Sequence, residues 1–261
     1  MRVKNTINCL SKSFFVFLGL VAIMSCSNGN KEVVEYYNSS EPKLVYFTKV
    51  EDGVTKRVGE KMYYESGQTM YEGRYKNDER IGHWAYYFEN GSLFCRMRFD
   101  KEPNSFEVFD SQKNRLITGK DNIVEANYYP NGALAKIRKT EGEREVEYRF
   151  YTNFNLFEKR TTKKDLLDGE VLSYHESGQL SSKSHYNNGV QDGDYHLYYE
   201  NGNLRLKGKV DNGIRVGVWE YYKESGEEDG QEEYSEDGSL IKHRDTGLRY
   251  FDKDGNEIIF E

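Results

Sequence analysis

Glycine recurs along this 261-residue chain at intervals that only a repeated structural unit explains. It closes Tyr63-Tyr64-Glu65-Ser66-Gly67, Tyr87-Phe88-Glu89-Asn90-Gly91, Tyr128-Tyr129-Pro130-Asn131-Gly132, Tyr174-His175-Glu176-Ser177-Gly178, Tyr198-Tyr199-Glu200-Asn201-Gly202 and Tyr222-Lys223-Glu224-Ser225-Gly226. The step is 24 residues from Gly67 to Gly91, and again from Gly178 to Gly202 to Gly226. Weaker copies stand at Phe150-Tyr151-Thr152-Asn153-Phe154, Tyr234-Ser235-Glu236-Asp237-Gly238 and Phe251-Asp252-Lys253-Asp254-Gly255. All nine keep an aromatic residue four places before the turn residue. A second set, Gly82, Gly169, Gly193 and Gly217, precedes a turn glycine by nine residues, and Asn77-Asp78, Asn188-Gly189 and Asn212-Gly213 mark a further turn between units. Such pairs accept the positive φ that tight hairpin turns demand, and the six to eight residues between turns suit one strand each. Each unit is therefore expected to be one hairpin, and the chain an all-β, elongated antiparallel β-meander of stacked hairpins.

The side chains agree with this reading. The chain holds 22 Tyr and 14 Phe but is only 36% hydrophobic, so its apolar surface is ring rather than branch, a composition that favours strands. Leu93, Leu134, Leu180, Leu204 and Leu240 recur two residues after the turn glycine, and Tyr75, Phe99, Tyr186, Val210 and Tyr234 eight after it. The expected ring core, and the surface expected to bind if any does, comprises Tyr63, Trp84, Tyr87, Tyr174, Tyr195, Tyr198, Trp219 and Tyr222. Which of these share a face depends on whether the loop has two, three or four residues, because a one-residue slip exchanges faces. Trp84, Tyr86 and Phe88 alternate with Ala85 and Tyr87, so both faces carry rings, and coiling or cover from an insert is expected.

The N-terminus reads as an address. Arg2, Lys4 and Lys12 precede an apolar run from Phe14 to Met24, too short to span a bilayer and of the length of a signal-peptide core. The run ends in Ile23-Met24-Ser25-Cys26, which resembles the lipobox of bacterial lipoproteins and implies acylation, as with palmitate, at Cys26. Ser27 resembles the pattern of outer-membrane delivery, and Lys31-Glu32 that of surface-exposed lipoproteins. The expected organisation is a signal peptide over 1–25, a polar tether over 26–42, repeats over 43–100, an irregular insert over 101–122 and further repeats over 123–261. The expected location is the cell envelope, lipid-anchored at the outer membrane, with membrane contact through the lipid only.

Beyond the leader, the unit Gly-x-Trp/Tyr-x-x-Tyr-aromatic-x-Asn-Gly-x-Leu resembles the variant MORN repeat of bacterial proteins, the family often labelled YwqK-type antitoxin. The resemblance runs from about Gly59 to Phe251, in roughly eight units. It implies a meander of stacked hairpins that works as an interaction module without catalysis. The period breaks at Lys101-Glu102-Pro103-Asn104-Ser105 and its neighbours.

Chemistry is scarce in the remaining residues. Of Cys9, Cys26 and Cys95, cleavage removes the first and acylation consumes the second, so neither an intramolecular disulfide nor a cysteine metal site is expected. His175-Glu176-Ser177-Gly178 mimics a hydrolase motif, but Ser66 and Ser225 hold the same turn slot without a histidine, so Ser177 reads as a turn residue. His83, His175, His185, His196 and His243 lack ligand spacing, and Asp252-Lys253-Asp254-Gly255 reads as a hairpin turn rather than a calcium loop. No cofactor or metal is expected. Loss of the three leader cations takes the formal net charge from −7 to −10, which disfavours nucleic acid as a partner. The expected function is a non-enzymatic, lipid-anchored repeat module that binds a protein or polymer. The alternatives are an antitoxin or immunity-type lipoprotein that neutralises a protein toxin, and cell-wall or carbohydrate binding through the tyrosine-rich face.

Overall fold

The structure, a computed structural model, describes residues 30–38, 40–99, 105–119, 121–130, 132–245, 250–252 and 257–258. The expected signal peptide and Cys26 lie outside these residues. The first sheet contains β1 (Asn30–Tyr36), β2 (Pro42–Glu51), β3 (Val54–Tyr63), β4 (Thr69–Lys76), β5 (Glu79–Tyr87), β6 (Leu93–Arg98), β7 (Ser105–Phe109) and β8 (Arg115–Ile117), in sequence order. The second contains β9 (Asn122–Tyr128), β10 (Leu134–Glu141), β11 (Arg144–Phe150), β12 (Leu156–Lys163), β13 (Leu166–Tyr174), β14 (Leu180–Asn187), β15 (Val190–Gln191) and β16 (Gly193–Tyr198). It continues with β17 (Leu204–Asp211), β18 (Ile214–Tyr222), β19 (Glu228–Tyr234), β20 (Leu240–Asp245), β21 (Tyr250–Asp252) and β22 (Glu257–Ile258). Within each sheet, every strand pairs antiparallel with its sequence neighbour, except that β16 pairs with β14 past the two-residue β15.

Two alternating turns build this meander. At the first, Tyr64 N donates to Gln68 O at 2.8 Å and Gly67 N to Tyr64 O at 2.9 Å, which makes Glu65-Ser66-Gly67 a three-residue loop with its glycine at φ +80°. The same pair of bonds closes the loops ending at Gly91, Gly132, Gly178, Gly202, Gly226 and Gly238. Three residues is thus the loop length that the sequence left open. At the second turn, two adjacent residues both take positive φ, as in Asn188-Gly189 (48° and 86°) and Asn212-Gly213 (46° and 82°). This is the geometry that matches strand twist.

Three expectations about organisation change. The stretch expected as a tether holds β1, which pairs with β2 through Lys31↔Phe47 and Glu32↔Tyr46, so the first sheet starts before residue 42. The stretch expected as an irregular insert holds β7 and β8, joined by another three-residue loop in which Asp110 N donates to Asn114 O and Lys113 N to Asp110 O. Lys113 takes the glycine slot at φ 67°, and Phe109 stands four residues before it, so this is a repeat with its glycine lost. Finally, the ribbon is not continuous: no ladder joins β8 to β9 among the described residues, and the second sheet packs against the first.

The core lies in that contact. Phe94 of β6 stacks on Phe154 at 4.9 Å between centroids and meets Phe150 edge-on at 4.9 Å, while Phe154 also meets Tyr86 and Tyr64 edge-on at 6.2 and 6.5 Å. One cluster of buried side chains runs from Tyr71, Trp84, Tyr86, Cys95 and Met97 in the first sheet to Leu134, Ile137, Val146 and Tyr148 in the second. Cover for the ring-bearing face comes from the second sheet, rather than from coiling or an insert. Phe154 holds a glycine slot at φ 73°, a conformation unfavourable for a large side chain, and its burial against three rings, Tyr64, Tyr86 and Phe94, offsets that cost.

Candidate functional site

The repeat places a tryptophan over a glycine twice. On the strand paired with β5, a Cβ on Gly73 would lie 2.1 Å from Trp84 Cδ2, and on the strand paired with β18, a Cβ on Gly208 would lie 2.2 Å from Trp219 Cδ2. Only glycine lets each indole lie flat on the neighbouring backbone. A guanidinium covers each ring, Arg80 at 4.1 Å and Arg215 at 4.2 Å from the centroid, a cation–π arrangement. Each arginine donates to a tyrosine hydroxyl from Nη1 at 3.1 Å, Arg80 to Tyr86 and Arg215 to Tyr221, and each lies 5.9 Å from a further ring, Phe99 or Tyr234. The two clusters are the same device built in two repeats.

Alternation along β5 puts Trp84, Tyr86 and Phe88 on one face and Tyr87 on the other. The eight sequence-predicted residues therefore divide. Trp84, Tyr195 and Trp219 occupy what is here called the tryptophan face, and Tyr63, Tyr87, Tyr174, Tyr198 and Tyr222 occupy the opposite, tyrosine face. In the first sheet the tryptophan face is the core. In the second sheet the core uses the tyrosine face, through Val146, Tyr148 and Phe150.

The second sheet changes character along its length. On its tyrosine face, the slot six residues before the turn residue is Tyr148, Leu172, His196 and then Glu220, from a buried ring to a carboxylate. On its tryptophan face, the slot seven before is Glu147, Val171, Tyr195 and then Trp219, and the slot five before is Arg149, Ser173, Leu197 and then Tyr221. Glu147, buried, is met by Arg149 Nε at 2.7 Å and Arg160 Nη2 at 2.8 Å, so the outer face of the packed region is ionic. Apolar character thus crosses from one face to the other between β11 and β18. Beside Tyr221, an open hollow of about 260 Å³ is lined by Gly230, Glu232, His243 and Arg244 among others. Gly230 pairs with Tyr221 as Cys95 pairs with Tyr86, and the missing side chain leaves this space.

The residue three before the turn glycine, which sequence reasoning passed over, ties one unit to the next. Tyr64 Oη donates to Tyr87 O at 2.8 Å, Tyr129 to Phe150 O at 2.5 Å, Tyr151 to Tyr174 O at 2.9 Å and Tyr199 to Tyr222 O at 2.9 Å. His175 Nε2 reaches Tyr198 O at 3.1 Å in the same slot. A doubled aromatic before the turn was the available signal. Asn153 and Asn155 add bonds to Glu176 O, and Asn201 and Asn203 to Glu224 O, all at 2.9 Å.

Titration follows burial. Desolvation raises the hydroxyls of Tyr64, Tyr71 and Tyr86 well above the ordinary phenol range, with the Glu60 carboxylate adding at Tyr71. Tyr87 is pushed up to about 12 by burial and by Glu72. The buried Cys95 thiol is raised by desolvation, which makes it a packed side chain rather than a nucleophile. Among the described residues no group of three or more His, Cys, Asp or Glu is placed to hold a metal ion.

Recurring hairpins, most of them tied to the next through side chain and backbone, define a β-repeat protein of the solenoid kind. Residues 60–77, 167–188 and 191–212 match the family model described as MORN repeat variant, over β3–β4, β13–β14 and β16–β17, so these segments are MORN-variant repeats. Such repeats are of a non-catalytic kind and generally serve protein interaction. No curated protein matches the chain. Among solved structures, that of TcdB2-TccC3-TEV is 9% identical at TM-score 0.22 and covers 87% of this chain and 12% of its own. That of TcdB2-TccC3-Cdc42 is 11% identical at 0.22, over 88% and 15%, and that of TcdB2-TccC3 is 10% identical at 0.20, over 86% and 18%. The chain spans less than a fifth of each, and likeness at these scores carries no argument.

Proposed function

We infer that this protein is a lipid-anchored, non-enzymatic repeat module of the cell envelope that binds a protein partner along the second sheet. The observation that carries this reading is the row of rings on the tyrosine face that leads out of the packed region, from Tyr174, which still packs against the core, to Tyr198 and Tyr222. Tyr174, Tyr198 and Tyr222 hold one slot in β13, β16 and β18, so consecutive rings stand two strands, about 10 Å, apart. Lys183 paired with Glu170 at 2.5 Å and Lys207 paired with Glu220 at 2.9 Å lie between them. Rings flanked by polar groups on a partly exposed sheet suit a partner that contacts several repeats at once. The anchor rests on Arg2, Lys4 and Lys12, the apolar run Phe14 to Met24, and Cys26.

Two experiments test the parts separately. Crosslinking from intact cells, followed by mass spectrometry, is expected to capture one protein reproducibly with the wild type and to lose it with the double substitution Tyr198→Ala/Tyr222→Ala, which spares the core-packed Tyr174; equal capture by both would remove this surface from the function. Metabolic labelling with a fatty acid is expected to mark the wild type and not Cys26→Ala, and equal labelling of the two would remove the anchor.

A further inference from the structure

The tryptophan face of the C-terminal repeats has a built precedent within the same chain. In the first cluster, the second sheet lays its three-residue turn on the arginine: Arg80 Nη1 donates to Gly132 O at 3.4 Å. The fit excludes any side chain at that turn, since a Cβ on Gly132 would lie 2.1 Å from Arg80 Nη2. The first cluster thus recognises a glycine turn by a cation aimed at a turn carbonyl, over a platform of Trp84 and Phe99. The second cluster repeats the cation, the platform and their distances, yet no turn carbonyl is bonded to Arg215 among the described residues. Its side chain stays 44% exposed. A second difference points the same way: Trp84 Nε1 donates to Arg74 O at 3.2 Å, whereas Trp219 Nε1 is buried with no hydrogen-bond partner.

We propose that the Arg215–Trp219 cluster docks a three-residue glycine turn from a second copy of this chain. Glu200-Asn201-Gly202 and Glu224-Ser225-Gly226 are exposed turns of the same bonding geometry as the one at Gly132. They belong to the sheet that carries the cluster, no turn carbonyl of the described residues is bonded to Arg215, and a second copy brings the same turns to it. Arg215 Nη1 already lies 3.7 Å from Glu232 Oε2, so selection rests on the turn's shape and its carbonyl, as at Gly132, rather than on net charge. The proposal goes beyond the protein partner placed above on the tyrosine face, and loss of either leaves the other standing.

Sedimentation velocity on the purified full chain in detergent, from about 1 to 100 μM, is the test. The wild type is expected to form a dimer as concentration rises. Arg215→Gln, which keeps the stem over Trp219 and removes the cation, is expected to weaken dimerisation at least tenfold. The double substitution Gly202→Ala/Gly226→Ala leaves the cluster untouched, is expected to do the same, and carries the test should Arg215→Gln fail to fold. A monomer across the range, or a dimer that neither change weakens, overturns the proposal.

Discussion

Replacing Gly73 by alanine tests the indole-on-backbone arrangement directly. Non-bonded carbons settle about 3.5 to 4.0 Å apart, whereas the new methyl would stand 2.1, 2.2 and 2.6 Å from Cδ2, Cε2 and Cε3 of Trp84. The ring has nowhere to go. It is 0% exposed, with the Arg80 guanidinium 4.1 Å from its centroid, Tyr75 edge-on at 5.2 Å, Tyr71 at 6.1 Å and Phe99 edge-on at 6.3 Å. The upper part of the overpacking range, about 3 kcal/mol, is therefore expected for Gly73→Ala. Trp84→Ala alone is expected to cost about 3 to 5 kcal/mol through lost burial and the cavity left behind. In that background the methyl enters vacated space, so Gly73→Ala is expected to cost about 0.5 kcal/mol or less. The double-mutant cycle in urea should then show a coupling of about 2 to 3 kcal/mol. Gly67→Ala is the control for backbone strain alone: its Cβ meets nothing within 4 Å, but φ is +80°, and a loss of about 1 kcal/mol with no coupling to Trp84 is expected. A Gly73→Ala loss under about 0.5 kcal/mol, or additivity with Trp84→Ala, would show that the indole does not lie against this stretch of backbone.

Two glycine-slot residues should respond with opposite signs in chemical denaturation. Lys113→Gly, at φ 67° on an exposed loop, is expected to stabilise by about 0.5 to 1 kcal/mol, whereas Phe154→Gly, relieving φ 73° but deleting a ring packed on Phe94, Tyr86 and Tyr64, is expected to destabilise by about 3 kcal/mol. Removing one inter-unit bond with Tyr199→Phe is expected to cost about 1 kcal/mol, measured the same way, and no change would make the hydroxyl row incidental. Alkaline pH should unfold the protein by linkage. Tyr64, Tyr71, Tyr86 and Tyr87 are held protonated in the fold and titrate near 10 when unfolded, so their contribution is complete below pH 10 and declines as pH rises toward the folded values, about 12 at Tyr87. Melting temperatures are expected to be level between pH 8 and 9.5 and to fall steeply from about 10 upward; a level response to pH 11.5 would contradict the burial of these hydroxyls.

The repeat itself was legible because turn chemistry is local: a glycine at positive φ and an Asn-Gly pair announce themselves wherever they stand. Face assignment was not, since it depends on loop length and on register shifts such as the one at Tyr86/Tyr87, where Phe94 is the extra residue and is buried beside Cys95. The repeat ending at Lys113 escaped notice because its glycine is gone, although Phe109 kept the aromatic slot. The division into two sheets follows from long-range packing of Phe94 on Phe150 and Phe154, which no local pattern encodes. The tryptophan device was half legible: Trp84 and Trp219 stood out as core candidates, but their dependence on Gly73 and Gly208 required the pairing of neighbouring strands.

One two-layer core, formed where β3–β8 meet β9–β13, continues into a single-layer run of repeats with both faces uncovered by the first sheet. Hydrogen exchange read by mass spectrometry on the full chain tests it most directly. The slowest amides are expected in β5, β6, β10 and β11, where buried side chains lie between the two sheets, with measurably faster exchange across β16 to β19. Trp219→Ala should accelerate exchange over residues 193–234 and leave β3 to β6 unchanged, as nearest-neighbour stability requires. Equal protection from β5 to β19 in the wild type, or loss of protection in β3 to β6 on Trp219→Ala, would contradict this arrangement and make the chain a single cooperative globule.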